Sequence, residues 1–227
     1  MKKLTSVLLT LVMMLVLAAC SVSDETVTSE PKAQEAVSQN MGTGTSPLEG
    51  KTLVAFFTAR NQTEFNEDAD SLSSASQTTV DETAYGNAEL LAKYAAKATG
   101  GDVFSIETVK QYPEMYRETT EVAQEEQNDN ARPELKNKVT DMESYENIVL
   151  IYPMWWADMP MGVWTFLESY DFSGKTIYPI STHLGSGMGN SIATIQKLVK
   201  GADVKDGLEV SGNAVSGAEA DVLDYLK

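Results

Sequence analysis

The chain has 227 residues and a formal net charge of −16. A surface this acidic disfavours nucleic acid and anionic lipid headgroups as partners. One cysteine and one histidine exclude an intramolecular disulfide, a Cys-x-x-Cys redox site and any metal centre built from several thiolates or imidazoles.

The chain opens Met1-Lys2-Lys3, runs apolar from Leu4 to Leu17 and reaches Leu17-Ala18-Ala19-Cys20. A basic start, a short apolar stretch and small residues at a cleavage point read as a secretory signal over 1–19, not a membrane span. The last four residues resemble the lipobox of bacterial lipoproteins, in which the cysteine becomes the new N-terminus and carries lipid. That resemblance implies lipid attachment at Cys20 and a location on the outer face of the bacterial cell membrane. Two acyl chains anchor stably where one is marginal. The alternative is an ordinary signal peptide with an incidental cysteine. Loss of Lys2 and Lys3 takes the formal charge from −16 to −18. Residues 20–47, rich in Ser, Thr, Glu, Gln and Gly, read as a flexible linker behind the lipidated cysteine. Residues 48–227 suit one domain.

Within that domain strand-like and helix-like segments alternate. Thr52 to Phe57 is the first strand candidate, and a polar stretch follows it. Ala88 to Ala98 reads as a helix with Leu90, Leu91, Tyr94 and Ala98 on one face, stopped by Gly100-Gly101. Asp102 to Ile106 is a second strand, followed by a tyrosine-containing turn and a polar helix through Gln127. Asn147 to Ile151 is a third strand, apolar enough to be buried on both faces. Then come a helix from Met161 to Tyr170, a strand from Thr176 to Ile180, a helix from Ser191 to Val199, a strand from Gly207 to Val210 and a helix from Ala218 to Leu226. Repeated βα units predict an α/β fold, a doubly wound parallel sheet of five strands in the order 2-1-3-4-5.

Loops leaving strands one, three and four should meet in one crevice at the C-terminal edge of such a sheet. The loop after strand three carries Pro153-Met154-Trp155-Trp156. Two tryptophans there suit a flat ligand, and equally suit core residues folded back under the sheet. The first loop begins Thr58-Ala59-Arg60 and ends Gly86-Asn87-Ala88 at a helix start, which fits phosphate binding through backbone N–H groups or an ordinary N-cap. The fourth-strand loop, Thr182-His183-Leu184-Gly185-Ser186-Gly187-Met188-Gly189, departs from the dinucleotide fingerprint because Asn190 stands at the third glycine position. Its glycines allow close approach to a planar ring or serve only a turn. His183 is open between ligand contact and an incidental loop histidine. A P-loop is absent and no Gly-x-Ser-x-Gly elbow occurs.

An ordered series of motifs resembles the flavodoxin-like FMN-binding proteins, in particular a branch often found as secreted bacterial lipoproteins. It comprises Gly86-Asn87-Ala88-Glu89, Tyr112-Pro113, Ala131-Arg132-Pro133-Glu134-Leu135, Ile151 to Trp156 with Pro160, Ser173-Gly174-Lys175-Thr176-Ile177 and Gly185-Ser186-Gly187. The resemblance implies FMN as cofactor. It implies a phosphate loop of Thr58, Arg60, Gly86, Asn87 and Ala88, one ring wall of Pro153, Met154, Trp155 and Trp156, and another edge from Thr182, His183, Gly185, Ser186 and Gly187. Backbone amides would tune a ring that itself carries the redox chemistry. The acidic surface would lower its potential.

Two departures stand out. Residues 61–85 are far longer than the family's compact loop, and Ala88 occupies a position usually held by a hydroxyl. Losing one phosphate hydrogen bond costs on the order of 1.5–3 kcal/mol. The implied function is electron transfer by a membrane-anchored, extracytoplasmic FMN-dependent oxidoreductase. Its alternatives are a one-electron carrier without a small-molecule substrate and a flavodoxin-like binding module that has lost FMN. The redox partner or small-molecule acceptor is not named by any motif, no metal is expected, and the membrane is met through the lipid anchor alone.

Overall fold

The computed structural model describes residues 32–34, 46–62 and 76–227. The expected signal, Cys20, most of the expected linker and residues 63–75 of the long insertion lie outside the described residues. In chain order the strands are β1 (Lys32–Gln34), β2 (Thr52–Phe56), β3 (Gln77–Val80), β4 (Thr83–Gly86), β5 (Asp102–Ser105), β6 (Asn137–Val139), β7 (Asn147–Pro153), β8 (Thr176–His183), β9 (Asp203–Val204) and β10 (Leu208–Ser211). The helices are α1 (Asn87–Thr99), α2 (Tyr116–Asn128), α3 (Met161–Glu168), α4 (Ser191–Leu198) and α5 (Glu219–Tyr225).

The central sheet runs β5-β2-β7-β8-β10, with β9 beside the start of β8, and every pairing in it is parallel. The sheet thus has six strands where five are expected; with the two-residue β9 set aside, the other five run 2-1-3-4-5 in chain order, the expected α/β doubly wound arrangement. The middle of the sheet is β7, whose seven residues are all buried. Its side chains alternate between two cores, as the strand period of two requires. Ile148, Leu150 and Tyr152 join Val163, Phe166, Leu167 and Ile195 of α3 and α4, whereas Val149 and Ile151 join Leu91, Ala95 and Val222 of α1 and α5. Helices therefore cover both faces, and a parallel sheet needs that cover because its central strands have no solvent side.

Several elements differ from the sequence expectation. β8 continues through Ser181, Thr182 and His183 instead of ending at Ile180. Those polar residues have no strand-like apolar pattern, but they lie between β7 and β10, paired through Tyr152↔Ser181, Pro153↔Thr182, Val210↔Thr182 and Ser211↔His183. Pro179, which has no N–H, pairs with Leu150 of β7 and falls in the gap between β9 and β10 on the other side. That gap is where a strand proline is tolerated. In α1 the buried face centres on Leu91, Ala95 and Ala96, leaving Tyr94 and Ala98 on its flank. Ala88, Ala92, Ala95 and Ala96 share this buried face with Leu90 and Leu91, packed in the core that holds Val54 of β2 and Val149 and Ile151 of β7.

Residues 77–86 form the antiparallel hairpin β3–β4, turned by Asp81 and Glu82, both with positive φ. A two-residue hairpin loop needs this geometry, which usually selects Asn-Gly and not Asp-Glu. Three residues of the expected linker, Lys32–Gln34, pair in parallel with Asn137–Val139.

The Ser173-Gly174-Lys175 motif works far from the crevice. Lys175 is buried, and its Nζ donates to the carbonyls of Tyr145 (2.6 Å) and Glu143 (3.4 Å) at the N-terminal edge of the sheet. A buried ammonium is tolerable when its hydrogen bonds are satisfied in this way, so this lysine is a structural anchor.

Candidate functional site

A cavity of about 510 Å³ opens at the C-terminal ends of β2, β7 and β8. Its walls come from four places. Ala59 follows β2, Pro153 to Trp156 follow β7, and Thr182, His183, Leu184 and Ser186 end β8 and enter the next loop. The fourth wall is one face of α2: Tyr116, Thr119, Thr120 and Ala123. That wall was not foreseen. Its signal in the sequence is the spacing i, i+3, i+4, i+7 of small or aromatic residues in an otherwise acidic helix, which places them on one stripe. Thr119 and Ala123 are its buried residues, and Val122 beside them packs against the core.

The tryptophan pair sits on a strained turn. Trp155 and Asp158 exchange backbone hydrogen bonds of 2.8 and 3.1 Å, and both intervening residues have positive φ, 52° at Trp156 and 62° at Ala157. Holding non-glycine residues there costs roughly 1–2 kcal/mol each, so the surroundings must over-determine the turn. They do so from three sides. The buried Asp158 carboxylate accepts the Met159 N–H (2.8 Å) and the Thr194 hydroxyl (2.7 Å). The Ala157 carbonyl accepts the Asn190 N–H (2.8 Å), and the Trp156 indole N–H donates to the Thr120 carbonyl on α2 (2.9 Å). Gly189 makes this approach possible, since a Cβ there would fall on the Ala157 carbonyl and 2.7 Å from the Met154 methyl.

The two tryptophans divide the work. Trp155 is half-buried, with its ring edge-on to Phe57 (5.5 Å) and Tyr112 (5.1 Å) in the core. Trp156 is 48% exposed at the mouth. Both line the cavity. Beneath Trp155 the Tyr112 hydroxyl donates to Glu126 (2.7 Å). Burial, and then the adjacent Glu126 charge, push the Tyr112 phenol well above its ordinary range. Burial also raises the Glu126 carboxyl, against the lowering effect of the Tyr112 hydrogen bond and of Lys110.

Of the other expected site residues, Thr182 is buried in the cavity wall, and its hydroxyl has no hydrogen-bond partner among the described residues. A buried hydroxyl left without one costs roughly 1–3 kcal/mol, and of the buried polar side-chain atoms left in this way among the described residues Thr182 is the one in the cavity lining. The His183 Nδ1 accepts the Gly185 N–H (2.9 Å), and the Ser181 hydroxyl donates to the Gly187 carbonyl (3.1 Å), so this loop folds back on itself. Gly185 and Gly187 lie in the loop without lining the cavity. Among the described residues no group of His, Cys, Asp and Glu side chains is arranged to hold a metal.

Thr58, Arg60, Gly86, Asn87 and Ala88 gather instead at the N-terminus of α1, adjoining the cavity without lining it. Thr58 is buried, and a Cβ on Gly86 would occupy the position of its Oγ1. The Gly86 N–H is taken by the Glu89 carboxylate (3.1 Å) and the Asn87 N–H by the Ser76 carbonyl (2.8 Å). Ala88 packs into the core between α1 and the sheet. The Arg60 guanidinium donates to Gln77 (3.1 Å). Ala59 and Ser76, which do line the cavity, connect it to this cluster.

Comparison with known proteins fits this architecture. A family model described as flavodoxin matches residues 81–223. No curated protein matches the sequence. Among solved structures, the "putative flavoprotein" of Bacteroides uniformis is 24% identical with a TM-score of 0.56, over 76% of this chain and 97% of that one. One of the same name from Bacteroides eggerthii is 23% identical with a TM-score of 0.53, over 76% and 98%. A flavoprotein of Lactobacillus acidophilus solved in complex with FMN is 12% identical with a TM-score of 0.50, over 75% and 99%. With well over half its length matched by the family model, on a doubly wound α/β sheet whose loops enclose a cavity at the C-terminal edge, the chain belongs to the flavodoxin family.

Proposed function

We propose that this chain binds FMN and acts in electron transfer as an oxidoreductase, tethered through Cys20 to the outer face of the bacterial cell membrane. The observation that carries the reading is the cavity beside the Trp155–Trp156 turn, with the unpartnered Thr182 hydroxyl in its wall. Its size falls in the range of small-molecule sites, roughly 300–1,000 Å³. The residues present fit the group. Trp155, Trp156 and Met154 offer apolar walls to a planar ring, and Thr182 offers a hydroxyl to its polar edge. Arg60 and the start of α1 lie beside the cavity, where a phosphate would be held. FMN, when bound there, would supply reversible one- and two-electron chemistry. The protein's part is to hold and orient the ring and to keep water from one face. The FMN-bound relative from Lactobacillus acidophilus supports this assignment through shared fold alone.

Full-length protein purified in detergent should carry yellow flavin absorbance or acquire it on adding FMN, with saturable quenching of flavin fluorescence. A colourless protein that leaves FMN fluorescence unchanged would overturn the reading. One observation favours a scaffold without FMN: the Gly86 and Asn87 N–H groups already have partners in the protein, and Ala88 has no hydroxyl. The same titration decides between the two.

A further inference from the structure

Among the described residues the cavity lining holds no carboxylate, ammonium or guanidinium, and His183 is its one titratable side chain besides the Tyr116 phenol. None of its described lining residues is Lys, Arg, Asp or Glu, although the chain carries 50 such residues in the full sequence, 17 basic and 33 acidic. Its mouth is also where exposed apolar surface collects. Of the large hydrophobic side chains that are exposed among the described residues, Tyr116, Trp156 and Leu184 all line this cavity, and Met115 precedes Tyr116. Apolar side chains grouped around one opening mark a binding surface, whereas scattered ones need no explanation. The helix that forms the outer wall, α2, turns Glu118, Glu121 and Glu125 to solvent, and its Arg117 is already paired with Glu121 (2.8 Å). An anion approaching this mouth meets repulsion and no free cation on that wall.

We propose that the lip formed by Tyr116, Trp156 and Leu184 is a subsite for an uncharged, planar aromatic molecule, and that it rejects pyridine nucleotides. This rests on reading the cavity as the flavin site, because ring and ligand would share its walls. Aromatic side chains hold a flat neutral ring by stacking and by burying its faces. A pyridine dinucleotide brings a pyrophosphate, and sites for that group offer helix N-termini or cationic side chains. The start of α1 and Arg60 adjoin the cavity and are assigned to the FMN phosphate, and the start of α2, which reaches the lip at Tyr116, carries Glu118 and Glu121 in its first two turns, which oppose an anion there.

Equilibrium dialysis of the full chain in detergent, loaded with FMN, tests this with three probes: 2-methyl-1,4-naphthoquinone, a naphthoquinone sulfonate and NADH. The neutral quinone should bind saturably, with an affinity that changes less than about twofold as salt rises tenfold. The sulfonate should bind at least ~10-fold more weakly, a difference of about 1.4 kcal/mol, and NADH should not bind. Leu184→Lys, at an exposed position, should narrow the gap between sulfonate and neutral quinone by about threefold or more and make sulfonate binding salt-sensitive. NADH or sulfonate binding as tightly as the neutral quinone overturns the proposal, as does no saturable quinone binding or an unchanged gap in Leu184→Lys. FMN binding is measured first and separately. If it fails, the functional reading falls, and the same dialysis on the ligand-free chain still decides the subsite.

Discussion

At the scale of single residues, two neighbouring tryptophans carry different loads. Trp155 contacts Phe57 and Tyr112 in the core, so Trp155→Ala removes packing as well as a cavity wall. A loss of about 2–4 kcal/mol in urea unfolding is expected, near the lower part of the range for large aromatic truncations. Trp156 is exposed and tied by one indole hydrogen bond, so Trp156→Ala should cost about 1 kcal/mol or less. It should nevertheless weaken FMN binding by roughly tenfold, about 1.4 kcal/mol. Equal stability losses in the two variants would contradict this division. Glu126 gives a pH signature. Its carboxyl is raised above the ordinary 4.5, chiefly by burial. The folded state therefore holds its proton more tightly than the unfolded state does. The resulting stability is fully present below the unfolded carboxylate pKa and is lost as pH rises through the raised folded value. Glu126→Gln, which still accepts the Tyr112 hydroxyl, should flatten that decline. A decline of equal size in the variant would assign it to other groups.

At the scale of elements, the site depends on a turn that its own residues disfavour. Trp156 and Ala157 hold positive φ because Asp158, Asn190 and Thr120 hold them. Ala157→Gly relieves one strained residue at some entropic cost, so it should leave stability unchanged or raise it by up to about 1 kcal/mol. Ala157→Val should lower stability by more than about 1 kcal/mol. Gly189→Ala should be worse than either, because its methyl meets the Ala157 backbone carbonyl, which cannot yield as the Met154 methyl beside it can. It would push the loop after β8 away from the tryptophan turn and weaken FMN binding along with stability. Thermal melts of the three variants give the order directly, and a Gly189→Ala protein as stable as the parent would show that the two loops are not in register. The same scale explains α2. Its apolar stripe is too short to predict burial, and only the placement of the helix beside β7 makes that stripe a wall.

At the scale of the molecule, the acidity of the chain and the lack of Lys, Arg, Asp and Glu among the described residues of the cavity wall are separate features. Net charge governs solubility and long-range approach, while the site excludes charge from its walls. Ligand binding should appear as added stability through mass action, about 2.7 kcal/mol at FMN a hundredfold above its Kd. A melting temperature that ignores FMN would argue against binding to the folded state. The proposed membrane attachment is tested independently of the fold. Cys20→Ser should abolish lipid incorporation and release the protein from the membrane fraction; retention with the membrane would require another anchor.

The parallel strands, their order and the location of a crevice after the third strand were legible because buried strands need continuous apolar runs and doubly wound sheets place their loops at one edge. Ile148 to Ile151, followed by Pro153 and two tryptophans, placed an aromatic loop at the sheet edge where the cavity opens, while leaving open whether those rings were core or cavity wall. The hairpin over 77–86 was less legible, since β-branched residues flank a turn made of Asp-Glu where Asn-Gly is usual. The extension of β8 to His183 was not legible, because polar residues become strand only through the neighbours they pair with. Nor could sequence divide Trp155 from Trp156 or bring α2 to the cavity. Local chemistry and period determine which segments form and which edge binds. Burial, hydrogen-bond satisfaction and the charge of a cavity belong to groups distant in sequence, and only the tertiary structure decides them.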